Sequence, residues 1–148
     1  IIVSTDSKKI AKTLKDKINI PWLRPRRYAL DNSSSESVAL HALRRYEKLV
    51  KKIDGILLLQ PTTPFRNIKT LIRVLKLFKK NKRKNYVSVS KTNGSLSLNG
   101  SFYLISSKEL KREKSFVTKN SVGIILKNRK ERIDIDTISD LKFARSYL

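Results

Sequence analysis

The chain has 148 residues and a net charge of +22, from 34 basic and 12 acidic side chains, and 39% of its residues are hydrophobic. This length gives room for one domain with a modest core, and the hydrophobic content excludes a disordered tail. No stretch approaches the ~20 apolar residues of a membrane span, the lack of cysteine excludes disulfides and thiolate metal sites, and the single histidine argues against a zinc site.

The positive charge has two interpretations. A field of this size attracts phosphate backbones and would suit a basic nucleic-acid-binding module. The basic residues are nevertheless spread over nearly every predicted helix and loop, without the interleaved aromatic residues that single-strand binders use for stacking. Solvated helix faces, or a surface suited to an anionic small substrate, are therefore favoured, and no nucleic-acid partner is expected. No cleavable signal pattern opens the sequence, so a cytoplasmic protein is expected.

The first third of the sequence predicts a strand, a helix and a loop that carries an arginine. Residues 1–4 are typical of a buried strand, and residues 8–17 of a helix whose N-cap is Asp6 or Ser7. A second extended segment leads to Arg24, which the following proline holds out of the helical region. Asp6 is either a simple cap or a residue near an active site, and Arg24 is either solvated or ligand-binding.

A cluster of cap-forming residues precedes the second helix. Ser34 and Ser35 belong to this cluster, and apolar residues then recur with the 3.6 period as far as about residue 52. The free N–H groups at such a helix start can also bind an anion. His41 lies on this helix and is expected to pack or to lie at the surface rather than to catalyse.

The central stretch, residues 56–66, combines a short apolar run with a proline-rich exit. The run predicts a strand buried on both faces of a parallel sheet, and two prolines then force a stiff loop from Gln60 to Arg66. An amphipathic helix is predicted over residues 67–80. Ligands of open α/β sheets bind just past the carboxyl ends of strands, although a packing role alone explains the stretch equally well.

The last third predicts three more strands and a final helix. Residues 86–90 alternate with period 2, a first Asn-Gly turn signal follows, and a second Asn-Gly pair opens a strand that contains Asn99 and Tyr103. In a strand over residues 131–137, Asp134 and Asp136 would project together, before a helix capped around Thr137 or Ser139. Convergent carboxylates suit Mg²⁺ bound with substrate phosphates; a half-exposed strand with a helix cap is the alternative.

Six blocks of this sequence resemble the acylneuraminate (CMP-sialic acid) cytidylyltransferase family. In the family's order they are I-V-S-T-D-S, L-R-P, D-N-S-S-S-E-S-V-A-L-H-A-L, L-L-L-Q-P-T-T-P-F-R, N-G-S-F-Y and I-D-I-D-T. Each block is weakly specific by itself, but their common order is a strong signal, and they span essentially the entire chain. The resemblance implies a single domain over residues 1–148, α/β and three-layered, with a largely parallel, Rossmann-like sheet of the nucleotide-diphospho-sugar transferase type.

The resemblance also implies an activity, the transfer of CMP from CTP to an acidic nine-carbon (nonulosonic) sugar with release of pyrophosphate. It assigns Asp134 and Asp136 as the metal-binding and catalytic carboxylates. It assigns Arg24, Ser34 and Ser35 to nucleotide binding, and Gln60, Asn99 and Tyr103 to sugar binding. The expected cofactor is Mg²⁺. Two residues keep an uncertain role: Asp6, and Arg66, which either anchors its loop or meets an anion.

The sequence departs from the family at two places. The family's glycine-rich phosphate loop, A-R-G-G-S-K-G-I, has no counterpart, since the four glycines lie far apart. Because such a loop grips the triphosphate, the chain is expected to be N-terminally truncated and to bind nucleotide poorly; a degenerate, non-catalytic domain is the alternative. The interval between Ser90 and Asn99 is too short for the excursion that usually pairs the subunits, so a homodimer remains open.

Overall fold

The computed structural model describes residues 1–18, 20–92 and 94–148, and the chain divides into two compact units, residues 1–52 and 53–148. The first unit contains two α-helices and a 3-10 turn: α1 (Lys8–Leu14), Arg26–Tyr28 and α2 (Ser35–Leu49). Within the described residues, no helix has the length and apolar character needed to cross a membrane.

The start of the first unit differs from the predicted strand and confirms the predicted helix cap. Residues 1–4 contribute only a single bridge residue, Ile2, and Ile1 is 99% exposed, so the prediction of a buried strand is wrong. Apart from this single bridge, these residues form no ladder with the strands of the described sheet. Ser7 caps α1 by accepting a hydrogen bond from the Ile10 N–H (3.3 Å), and α1 ends at Leu14, short of residue 17.

The second helix forms as its apolar period predicts. Ser34 is the N-cap, with its hydroxyl oxygen accepting from the Ser37 N–H at 3.2 Å. Ala39, Leu40 and Leu43 are buried, on one face of the helix. The helix ends at Leu49, three residues before the predicted end.

The second unit is built on a four-stranded mixed sheet. The strands are β1 (Gly55–Leu58), β2 (Asn85–Thr92), β3 (Ser95–Ser106) and β4 (Ser121–Ile125), and their order in the sheet is β1-β3-β2-β4. β3 pairs antiparallel with both β1 and β2, whereas β2 and β4 are parallel. The prediction of a largely parallel sheet is therefore wrong for this sheet.

The direction of the strands explains this difference. β1, β2 and β4 run the same way, as the prediction requires, but β3 runs the opposite way and lies between β1 and β2. β1 is consequently an edge strand of the described sheet and is only half-buried along its length. The prediction that it is buried on both faces is wrong.

Three helices and a second 3-10 turn complete this unit: α3 (Ile68–Lys80), α4 (Ser107–Glu113), the turn Arg129–Arg132 and α5 (Ile138–Arg145). α3 packs on the sheet through Val74 and Phe78, which share a buried cluster with apolar residues of β2, β3 and β4. Gly55 allows this contact, because a Cβ at that position would lie 2.6 Å from the Phe78 ring.

A bulge interrupts the pairing of β2 with β3. The two-residue step from Val87 to Val89 faces the longer segment from Leu98 to Tyr103. The hydroxyl group of Ser88 bridges the interruption: it donates to the carbonyl of Phe102 (3.1 Å) and accepts from the N–H of the same residue (3.0 Å). Bulges of this kind redirect the chain at sheet ends and beside functional sites.

Candidate functional site

The loop that follows β1 is held by the side chain of Arg66. The guanidinium donates from Nε to the carbonyl of Ser101 (2.9 Å), and from Nη2 to Thr63 Oγ1 (2.7 Å) and to the carbonyl of Gln60. Burial lowers the pKa of Arg66. Its contacts are those of a loop anchor, because they join both ends of the proline-rich loop to β3.

Gln60, Gly100 and Asp134 come together beside the bulge. Gly100 has a φ of +71°, and a Cβ at this position would lie 2.8 Å from Gln60 Oε1 and 3.8 Å from Asp134 Oδ2. The left-handed backbone therefore brings β3 against two side chains that the sequence separates by more than thirty residues on either side. Gly100 was not among the predicted site residues, although the Asn-Gly pair marked it as a turn.

Asn99 and Tyr103 lie on β3 but have different surroundings. The Asn99 side chain shapes the bulge: its Nδ2 donates to Ser90 Oγ (3.0 Å), and its Oδ1 accepts from the Ser101 N–H (3.2 Å). The Tyr103 ring packs against Phe116, with ring centroids 5.3 Å apart. Asn99 adjoins Gly100 and so lies beside the cluster. The assignment of Asn99 and Tyr103 to sugar binding stays a prediction.

The segment that carries Asp134 and Asp136 is extended but is not a strand, so that part of the prediction is wrong. The backbone N–H groups of this segment donate to unrelated acceptors. The Ile135 N–H donates to the carbonyl of Thr62 (2.9 Å), and the Asp136 N–H donates to Asp140 Oδ2 (3.2 Å). The Asp136 donor is therefore taken by a side chain rather than by the carbonyl of a neighbouring strand, and no ladder forms here. The predicted alternation does hold, because Ile133 is buried and both aspartates are exposed.

A capping box fixes the end of this segment. Thr137 Oγ1 accepts from the Asp140 N–H (3.1 Å), and the Asp140 carboxylate accepts from the Thr137 N–H (2.8 Å). Hydrogen bonds from the side chain and backbone of Thr137 lower the pKa of Asp140. Thr137 is thus confirmed as the cap of α5.

Glu131 also holds the aspartate segment in place, and this role was not predicted from the sequence. It is 6% exposed, and its Oε1 accepts from the backbone N–H of Asn67 at 3.2 Å, at the start of α3. Together with the bond from Ile135 to Thr62, this contact ties the aspartate segment to the loop after β1 and to the start of α3. No local pattern could have revealed it, because the partners are 64 residues apart.

The aspartate segment offers part of a metal site. Among the described residues, no group of three or more His, Cys, Asp or Glu side chains could hold a metal ion. The two exposed carboxylates match a donor set in which Mg²⁺ takes one or two protein carboxylates and completes its shell with phosphates and water. The residues present therefore fit a cation that arrives with a phosphorylated substrate.

In the first unit, the predicted nucleotide-binding residues occupy structural positions. Ser34 caps α2 and Ser35 is its first residue. Arg24 pairs with Asp6, at 3.4 Å between Nη2 and Oδ1, and its N–H donates to the carbonyl of Thr5 (2.8 Å). These contacts join the I-V-S-T-D-S and L-R-P blocks, which the sequence alone left unconnected.

His41 packs against an aromatic ring, as expected. Its ring centroid lies 4.6 Å from that of Tyr28. Burial, followed by the positive charges of Arg45, Arg27 and Arg24, lowers the pKa of His41. The lowered pKa favours the neutral imidazole, and its buried Nδ1 has no hydrogen-bond partner within the described part of the unit.

Comparison with known proteins identifies the family. No protein-family model matches the chain. The chain is similar to the CMP-N,N'-diacetyllegionaminic acid synthase of Legionella pneumophila, with 31% identity over an alignment that covers 95% of this chain and 74% of that protein. Identity at this level over most of both sequences shows that the chain belongs to the CMP-sialic-acid-type cytidylyltransferase family.

Proposed function

We propose that this chain carries out the transfer of CMP from CTP to an acidic nonulosonic sugar, with release of pyrophosphate. The observation that supports the proposal is the meeting of Gln60, Gly100 and Asp134 beyond the carboxyl end of β1. These residues come from three separate blocks of a sequence that is similar, over 95% of its length, to a CMP-N,N'-diacetyllegionaminic acid synthase. We also propose a three-layer, Rossmann-like arrangement for the domain.

In the proposed reaction, the anomeric hydroxyl of the sugar attacks the α-phosphorus of CTP in line. As the new oxygen–phosphorus bond forms, the hydroxyl proton passes to solvent, the bond from that phosphorus to the bridging oxygen breaks, and pyrophosphate leaves. Asp134 and Asp136 would hold Mg²⁺, which when bound offsets the negative charge of the phosphates. The sugar would contact Gln60, Asn99 and Tyr103.

The nucleotide in this proposal contacts residues of the first unit, namely Arg24, Ser34 and Ser35. A guanidinium and helix-start hydroxyl and N–H groups are suitable partners for anionic or polar nucleotide groups. In the second unit, Arg66 and Glu131 would act by position. Because they fix the loop and the aspartate segment before substrate binds, less reorganisation is required at the moment of reaction.

The proposal is tested by measuring pyrophosphate release that depends on CTP and Mg²⁺, with sialic, legionaminic and pseudaminic acids as acceptors. The assay is run on this chain and on a form supplied with an upstream strand and a glycine-rich phosphate loop. Asp134→Asn is expected to lower turnover by about 100-fold or more, since it removes a metal-binding charge. Asp16→Asn, at an exposed position of the first unit outside the six blocks, is the matched control and is expected to retain activity.

The pattern of activity across these forms decides between the proposal and a non-catalytic domain. Activity of the extended form alone, lost in Asp134→Asn, would support the enzyme and identify the phosphate loop as the missing component. The relative turnover of the three acceptors would identify the sugar. The absence of pyrophosphate release from both forms with every acceptor would contradict the proposal.

A further inference from the structure

The end of the sheet opposite Gln60 and Gly100 contains a cavity of about 340 Å³ within the second unit. It lies where β3 ends and α4 begins, at the level of the pair formed by Gly55 and Ser106. Its lining is mostly basic and comes from the turn between α3 and β2, the end of β3, α4 and the residue before β4: Lys82, Arg83, Ser106, Lys108, Glu109, Arg112 and Asn120.

Two of the four cations in this lining lack a counter-ion. Lys82 pairs with Asp54 (3.0 Å) and Arg112 with Glu113 (2.7 Å). By contrast, Arg83 and Lys108 have no carboxylate within ion-pair distance in the part of the chain that the structure describes. Like charges that line one cavity repel each other, and more strongly than in open water. An anion inside the cavity would relieve this repulsion.

The wall of the cavity is built around a buried carboxylate, Glu109, which is 6% exposed. Its Oε1 accepts from the Thr118 hydroxyl (2.8 Å) and from Asn120 Nδ2 (3.1 Å), and lies 4.0 Å from Arg112 Nη2. The carboxylate is therefore occupied by its own donors and fixes the position of Asn120 in the wall. It also keeps Arg112, on the next turn of α4, close to the cavity.

We propose that this cavity binds a small phosphorylated anion, and that it is a second ligand site, separate from the one at Gln60. The lining contains two arginines and two lysines, and both residue types bind phosphate groups in proteins. Arginine binds phosphate by paired hydrogen bonds, and lysine binds it as a point charge. The volume lies at the lower end of the ~300–1,000 Å³ range of small-molecule sites. No aromatic residue is among the lining residues, so the stacking surface that a nucleic-acid strand requires is absent from them.

The proposal is tested by titrating the chain with inorganic phosphate at constant ionic strength, followed by the backbone amide resonances. Saturable shifts at Lys108, Arg112 and Asn120 are expected. The double variant Arg83→Gln/Lys108→Gln is expected to weaken binding by about tenfold. Arg73→Gln/Lys76→Gln removes the same two types of charge from exposed positions of α3 outside the cavity, and is expected to change binding by less than about twofold.

Each outcome of the titration decides the matter. Equal weakening of phosphate binding in both double variants would overturn the proposal, and so would shifts that spread without saturation over the basic surface. Either result would show that the phosphate is attracted only by the overall positive charge of the +22 chain. Saturable shifts at Gly100 and Asp136 alone would assign the phosphate to the candidate active site and overturn it as well. The amide spectra also report whether each variant is folded, so loss of structure is distinguished from loss of binding.

A second arm of the experiment identifies the source of the phosphate group. The same titration is made with glycerol 3-phosphate, a phosphate monoester. Tighter binding of the monoester would indicate a phosphorylated metabolite, whereas tighter binding of inorganic phosphate would indicate the free ion. Because the readout requires neither CTP nor sugar, it succeeds or fails independently of the proposed transferase reaction.

Discussion

The two ends of the sheet in the second unit each contain a charged side chain that is largely withdrawn from solvent, the half-buried Arg66 at one end and the buried Glu109 at the other. Both charges are stabilised mainly by neutral dipoles. Arg66 donates to two backbone carbonyls and a hydroxyl, while Glu109 accepts from a hydroxyl and an amide. The two residues differ in which groups of the protein carry these dipoles. Arg66 holds the backbone of a loop, whereas Glu109 holds side chains.

This difference predicts that a substitution at Arg66 changes the geometry of the candidate site, while one at Glu109 changes stability and leaves that site in place. The same physical arrangement, a charge solvated by protein dipoles, thus has two uses in one sheet. Substitutions in the two regions can separate these uses.

The largest effect is expected for Arg66→Ala. The change leaves the carbonyl groups of Gln60 and Ser101 without this donor, and is expected to lower the free energy of unfolding by about 3 kcal/mol. Release of the loop is expected to reduce pyrophosphate formation by about 100-fold. Urea unfolding and the pyrophosphate assay measure the two effects. Arg73→Ala, on an exposed face of α3, is the control, and full activity of Arg66→Ala would contradict the anchoring role.

The next largest effect is expected for Gly100→Ala, and the chain contains a matched control. Gly100 and Gly94 both have positive φ angles, of +71° and +83°, but only Gly100 has neighbours within 4 Å of an added Cβ. Both substitutions are expected to cost about 1–2 kcal/mol of backbone strain. The additional loss in Gly100→Ala measures the displacement of Gln60. Equal losses in stability, with no change in the KM for the sugar, would show that the contact with Gln60 has no functional role.

A smaller effect is expected at Glu131, which ties the aspartate segment to the start of α3. Glu131→Ala is expected to reduce the affinity for Mg²⁺ by about tenfold, because the carboxylate segment loses one of its supports. Glu131→Gln keeps an acceptor oxygen for the Asn67 N–H and is expected to restore most of this loss. The Mg²⁺ dependence of activity and thermal unfolding are measured together. A variant pair that differs in stability but not in Mg²⁺ dependence would leave Glu131 with a structural role only.

The smallest effect is expected for Glu109→Gln. Burial raises the pKa of Glu109, but hydrogen bonds from Thr118, Asn120 and Asn85 outweigh it, and the pKa is lowered from the ordinary value of 4.5. A carboxyl group whose pKa falls on folding contributes stability above its unfolded-state pKa and loses that contribution as the pH falls through the folded-state value. The wild type is therefore expected to exceed Glu109→Gln by about 1 kcal/mol at pH 7. The difference is expected to vanish well below pH 4.5, and a pH-independent difference in unfolding free energy would contradict this account.

Features that depend on local chemistry could be predicted from the sequence. The caps at Ser7 and Thr137 rest on side chains that bond within three residues of themselves. The period of apolar residues similarly predicted α3, because that pattern requires only one buried face. The exit of the chain after β1 followed from two prolines.

Features that depend on distant partners could not be predicted. A short apolar run looks the same whether it lies at an edge or in the centre of a sheet, so the half-buried position of β1 carried no signal. β3 lies between β1 and β2. The alternation of side chains along a single strand does not determine which strands become its neighbours, so this order could not be predicted. The bond from Arg66 to Ser101 spans 35 residues and likewise has no local pattern.

β1 has a consequence for handling the protein. Its outer side pairs with no strand of the described sheet, and its sequence, Gly-Ile-Leu-Leu, contains no charge or proline that would discourage a second strand from adding there. Lys82 and Asp54, the ion pair beside its first residue, leave the apolar part of the edge unprotected. In concentrated preparations, the chain is therefore expected to form β-rich aggregates by edge-to-edge addition. Because Leu57 packs against the core, a lysine at Leu58 would be the substitution that improves its solubility most directly.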